Sequence, residues 1–108
     1  MQIRVLLDEC IPAQVVTELP KHDVRTTQGM GWSGKKNGEL LKLAVSTFDV
    51  FVTIDRGLAF QQRISHLRLG LVTLVSPSND IEDLRPLMPG LRYAVMKVKP
   101  GQVIRVEA

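Results

Sequence analysis

The chain of 108 residues is 44% apolar and 23% charged, a balance that fits one globular domain over residues 1–108 and argues against a disordered or fibrous chain. Its 14 basic and 11 acidic residues leave a formal net charge of +3, which suits a polyanionic partner without defining one. The longest apolar runs, Val50 to Val52 and Leu69 to Val75, fall far short of the roughly 20 residues of a membrane span.

Ile3 to Leu7 is a short apolar run broken once by Arg4, the pattern of a buried strand, and it stops at Asp8. Pro12 suits a first helical turn, and Val15, Val16 and Leu19 complete a short helix that Pro20 ends. Asp23 to Thr27 reads as a second strand, followed by a loop in which Gly29, Gly31 and Gly34 surround Trp32 and Ser33. Lys35 to Thr47 carries Leu40, Leu41, Ala44 and Val45 at helical spacing among good helix formers. Asp49 to Ile54 is a strand of β-branched and aromatic residues that ends, like the first, in an aspartate, Asp55.

Leu58 to Leu67 reads as a helix, Leu71 to Val75 as a strand, and Pro77, Ser78 and Asn79 as a break. A further helix begins at Asp80, with Asn79 or Asp80 as its cap, Ile81, Leu84 and Leu87 on one face, and Pro86 limiting its length. Tyr93 to Val98 and Val103 to Val106 flank a Lys99–Gln102 turn. Periodicity leaves a helix followed by a strand and a hairpin both open there, with a final strand at Val103 to Val106 in either case.

Strands that alternate with helices and are apolar throughout predict an α/β fold, with a mainly parallel sheet covered on both faces. Ligands of such sheets sit beyond the carboxyl ends of the strands, the edge on which Asp8 and Asp55 both fall. Carboxylates converging there are the donors that a hard cation such as Mg2+ prefers. Glu9 follows Asp8 directly, and Glu39 stands near the start of the helix after the glycine loop. Thr53 is placed to orient a neighbouring carboxylate. Plainer readings exist for each acid: Asp8 and Asp55 as helix caps, Glu9 as a solvated residue, Glu39 as a complement to the helix dipole.

Other chemistries find less support. His22 and His66 lack an i, i+4 metal partner and read as surface or turn residues. No G-x-S-x-G elbow is present, and the glycines from 29 to 34 have the wrong spacing for a dinucleotide turn. Cys10 has no cysteine partner for a disulfide or a zinc site and reads as a core or near-site residue. Trp32 suits packing over the core better than stacking on a base. The amino-terminal residues lack the pattern of a signal peptide, so a cytoplasmic location is expected.

The ordered series Leu6-Leu7-Asp8-Glu9, His22-Asp23-Val24, Asn37-Gly38-Glu39-Leu40-Leu41 and Val52-Thr53-Ile54-Asp55 resembles small bacterial PIN-like proteins over nearly the whole chain. The Lys36 to Glu39 segment and Gln61-Gln62 look like one subgroup of that family. The resemblance implies a PIN-like three-layer fold and a Mg2+- or Mn2+-dependent ribonuclease, the toxin component of a toxin-antitoxin system. Its partners would be RNA, an antitoxin protein and a second copy of the chain in a homodimer.

The same resemblance makes Asp8, Glu39 and Asp55 the catalytic acids and Asp8, Glu9 and Asp55 the metal ligands. Lys36, Asn37, Arg56 and Gln62 become contacts to nucleic acid. Two positions depart from the family pattern. Asn37 stands where many relatives have an aspartate, and Gly57 replaces a second acid after the central strand. Those departures define an alternative, a catalytically degenerate PIN-like module that binds nucleic acid or protein without cutting. A plain receiver-like or oligomerisation domain is a third class, and it leaves the two strand-end acids without a role.

Overall fold

The stretches Val5–Leu7, Val50–Val52 and Leu71–Val72 are apolar on successive residues, and a strand with both faces apolar must be covered on both sides. In the computed structural model, which describes residues 2–58 and 63–108, this requirement is met by a five-stranded, all-parallel sheet between two layers of helix and turn. The strands are β1 (Arg4–Leu7), β2 (Asp23–Thr26), β3 (Val50–Thr53), β4 (Gly70–Leu74) and β5 (Val103–Val106). Their order across the sheet is β2-β1-β3-β4-β5. The central β3 and β4 are buried at every residue, whereas the edge strands β2 and β5 are only partly covered. The α/β class and the parallel sheet agree with the sequence reading, and the final segment is a helix followed by a strand rather than a hairpin.

Alternation along the strands splits the core in two. Val5, Leu7, Val52, Val72 and Leu74 face one side, where Val15 and Leu19 of the β1–β2 connection meet Leu84, Leu87, Met88 and Leu91. Leu6, Phe51 and Leu71 face the other side, under Leu40, Leu41 and Ala44 of helix α1 (Asn37–Thr47) and beside Leu58, Ile64 and Leu69. Helices α2 (Ile81–Leu84) and α3 (Met88–Lys97) cover the first face. At roughly 25 cal/mol per Å2 of apolar surface, burial of this kind is the main favourable term in folding.

Three helical expectations are refined. The segment after Pro12 forms 3-10 turns over Ala13–Glu18 rather than an α-helix. It is hemmed between Pro12 and Pro20 and contains the β-branched run Val15-Val16-Thr17, so i to i+3 bonds such as Val15 N–H to Pro12 O close it. The helix read as Leu58 to Leu67 is described only at its ends, where Ile64–His66 is a 3-10 turn; residues 59–62, and with them Gln61 and Gln62, lie outside the described residues. Pro86 does end α2, but the chain continues through a 3-10 turn, Arg85–Leu87, directly into α3. Asp80 is the cap of α2, its side chain accepting the Glu82 N–H at 2.9 Å.

At the opposite edge from the strand ends, Arg4 and Asp49 tie β1 to the start of β3. The Asp49 carboxylate accepts both the Arg4 backbone N–H at 2.9 Å and the guanidinium at 3.2 Å. The Arg4 hydrogen bond holds the Asp49 carboxyl below its ordinary range. Among the described residues, no helix is long and apolar enough to cross a membrane.

Candidate functional site at the carboxyl ends of the central strands

The strand order places β1 between β2 and β3, so the chain leaves β1 towards one edge and leaves β3 towards the other. The two departing connections open a crevice between them, the topological switch point at which open parallel sheets bind ligands. Asp8 follows β1 and Asp55 lies just past β3, so the two acids flank this crevice.

Asp8 is held by the sheet itself. Its N–H continues the ladder to Val52 O at 2.9 Å, which sets its side chain beside Thr53 on the neighbouring strand. Thr53 is fully buried, and its hydroxyl donates to Asp8 Oδ2 at 2.7 Å while accepting the Asp55 N–H at 3.0 Å. One hydroxyl therefore couples the two acids, the orienting role its sequence position suggested. The other oxygen, Asp8 Oδ1, accepts the Glu9 N–H at 2.7 Å. With only 9% of its surface exposed, Asp8 is a strand-end carboxylate fixed by two short hydrogen bonds, not a helix cap.

Asp55 does both things its position allows. Its Oδ1 accepts the Gly57 N–H at 2.9 Å and so caps the turn that follows, while Oδ2 receives a long contact from the Asn37 amide at 3.5 Å. Asn37 is the first residue of α1, so this contact joins the start of that helix to the crevice.

The remaining acids are engaged elsewhere. Glu9 Oε1 accepts the Gly34 N–H at 2.8 Å. Gly34 has φ +81°, and the glycine loop turns its N–H towards Glu9 in a conformation that other residues rarely adopt. Glu39 pairs at 2.9 Å with Lys35, which precedes the helix, and has 60% of its side chain exposed. Among the described residues, no three His, Cys, Asp or Glu side chains gather closely enough to hold a metal ion. Asp8 and Asp55 with Thr53 and Asn37 are brought together; Glu9 and Glu39 are not. Two carboxylates on one rim are donors that a hydrated hard cation can use, taking one or two of them and filling its shell with water, whereas an all-protein cage needs more.

Cys10, read from the sequence as a core or near-site residue, lies next to the crevice, and the structure adds residues that patterns did not mark. Cys10 is half-buried beside Asp8, Thr53 and Ile54; burial, followed by the Asp8 charge, pushes its thiol pKa up, against the Ile54 hydrogen bond. Thr27 donates its hydroxyl to Leu7 O at 2.7 Å and closes the β2 side of the rim. An open groove of about 1110 Å3 runs from Lys35, Lys36 and Asn37 along α1 to Lys42, with Arg63 and His66 on its other wall. Lys36 and Asn37 belong to it, whereas Arg56 is exposed in the turn after Asp55, outside that lining. Trp32 is half-buried and packs edge-on against Phe48 at 6.1 Å, over the core.

No protein-family model, curated protein or solved structure matches the chain. The reading of this crevice therefore rests on its geometry and chemistry.

Proposed function

We propose that the chain is a Mg2+- or Mn2+-dependent ribonuclease that hydrolyses phosphodiester bonds at the β1/β3 crevice. The observation that carries the proposal is the buried Asp8 carboxylate, tied through Thr53 to Asp55 at the switch point of a parallel sheet. Thr53 holds the Asp8 carboxylate and the Asp55 backbone N–H, so two acids stand on one rim of the sheet, where a divalent cation is a natural counter-charge. Asp8 and Asp55 would hold it. When bound, such an ion neutralises charge on the phosphodiester and acidifies the water that attacks it.

The chain's own residues do the rest. Thr53 keeps Asp8 in one rotamer, so the carboxylate need not reorganise on binding. The Asn37 amide and the Lys36 and Arg56 side chains are hydrogen-bond donors suited to backbone phosphate. The resemblance to PIN-like proteins extends the proposal to a toxin with a cognate antitoxin. A second reading, a binding module that does not cut, draws on the pairing of Glu39 with Lys35 and of Glu9 with Gly34, together with Asn37 and Gly57 where further acids are expected.

RNA cleavage by the wild type and by Asp8→Asn, each with Mn2+ and with EDTA, decides between them. The nuclease reading expects Mn2+-dependent cleavage that falls at least about 100-fold in Asp8→Asn, in line with the loss of one key electrostatic group. Equal cleavage by the two proteins, or none by either alongside intact RNA binding, rejects it.

A further inference from the structure

The net charge of the chain is not spread over its surface. Lys35, Lys36, Lys42 and Arg63 line the groove against a single acid, Glu39. That local excess equals the whole formal charge of +3, so the other ten basic and ten acidic residues balance. Glu39 and Lys42 stand three apart on α1, and Lys35, two residues before the helix begins, reaches Glu39 at 2.9 Å. Lys35 is neutralised by Glu39, while Lys36, Lys42 and Arg63 have no ion-pair partner among the described residues. One end of the groove is Asn37, whose amide reaches Asp55.

We propose that this groove is the track for the sugar-phosphate backbone of single-stranded RNA, gripped by Lys36, Lys42 and Arg63 and led past Asn37 to the crevice. The choice of RNA rests on the nuclease reading; the grip on phosphate does not. The groove, of about 1110 Å3, is open rather than enclosed and has room for a segment of a polymer. Its walls are α1 and the Ile64–His66 turn, with Leu67 as an apolar spot between the charges. His66 adds an imidazole face on which a base can stack.

The test measures anisotropy of a fluorescein-labelled 12-nucleotide oligouridylate in EDTA, which separates binding from cleavage. Three neutralised phosphates give a salt slope near −2 for a single strand, so wild-type affinity is expected to fall about 20-fold between 50 and 200 mM salt. Lys36→Gln/Lys42→Gln/Arg63→Gln should bind weakly at 50 mM with a slope near zero, while Lys21→Gln/Lys97→Gln/Lys99→Gln behaves as wild type. The inference is overturned if the groove variant keeps wild-type affinity and slope, if the control loses as much, or if a 12-base-pair duplex binds as tightly as the single strand. Should groove-dependent binding appear without any Mn2+-dependent cleavage, the nuclease reading fails and the track stands. Should the groove variant cleave at the wild-type rate, the track fails and the nuclease stands.

Discussion

Replacing Thr53 by Val removes one hydroxyl and almost no volume, and it strikes the atom through which Asp8 and Asp55 are coupled. Two hydrogen bonds disappear, the donation to Asp8 Oδ2 at 2.7 Å and the acceptance of the Asp55 N–H at 3.0 Å. Thr53 is fully buried and Asp8 is nearly so, so water cannot restore the bond to the carboxylate. A hydrogen bond to a charged group contributes about 1.5–3 kcal/mol and a neutral one about 1 kcal/mol, and Asp55, which is partly exposed, can recover part of its loss from solvent. The expected cost is therefore about 2–3 kcal/mol, a large share of the roughly 5–15 kcal/mol that stabilises a domain.

At an unfolding entropy of about 2.1 cal/mol/K per residue, the same loss lowers Tm by about 9–13 °C for this chain. Urea unfolding followed by far-UV circular dichroism should show a lower midpoint with an unchanged slope. In an Asp8→Asn background the same substitution should cost markedly less, because the charged partner is gone. A cost below about 0.5 kcal/mol in the wild-type background, within the range of ordinary surface changes, would refute the coupling through Thr53.

Two further outcomes follow from the geometry. Gly101 sits at φ +82°, where an added Cβ would lie 3.0 Å from Ser65 O, whereas at Gly34 the same φ region meets open space. Left-handed strain of about 1–2 kcal/mol applies to Ala at either position, so Gly101→Ala should be the more destabilising by thermal unfolding, and equal losses would contradict the contact. The Cys10 thiol, raised mainly by burial and next by the Asp8 charge, should be protonated at neutral pH and react slowly with a disulfide reagent. In Asp8→Asn the pH midpoint of its labelling rate should move down, and an unmoved midpoint would place Cys10 away from the carboxylate.

What local sequence carries, it carried well. Apolar runs closed by an acid, at Leu7-Asp8 and Ile54-Asp55, are readable because a buried parallel strand must be apolar throughout and must stop where the backbone meets solvent. The role of Thr53 was legible for the same reason: a polar residue within a β-branched run needs a partner. What remained hidden is non-local. Pairing of β1 with β3, 45 residues apart at Asp8 and Thr53, is a property of the whole chain. The diversion of Glu9 to Gly34 depends on a left-handed glycine in a loop 25 residues away, which no residue pattern around Glu9 announces. The groove is likewise tertiary, since Arg63 and His66 meet Lys42 only after α1 and the Ile64–His66 turn pack side by side. Of that lining, Lys36 and Asn37 were marked beforehand as nucleic-acid contacts, whereas Lys42 and Arg63 were not.

The proposed sharing of one cation by Asp8 and Asp55 is tested most directly by titration of Mn2+ followed by electron paramagnetic resonance at low ionic strength. One ion should bind the wild type, and Asp8→Asn and Asp55→Asn should each weaken it at least tenfold, about 1.4 kcal/mol. Identical Mn2+ binding by all three proteins would contradict it.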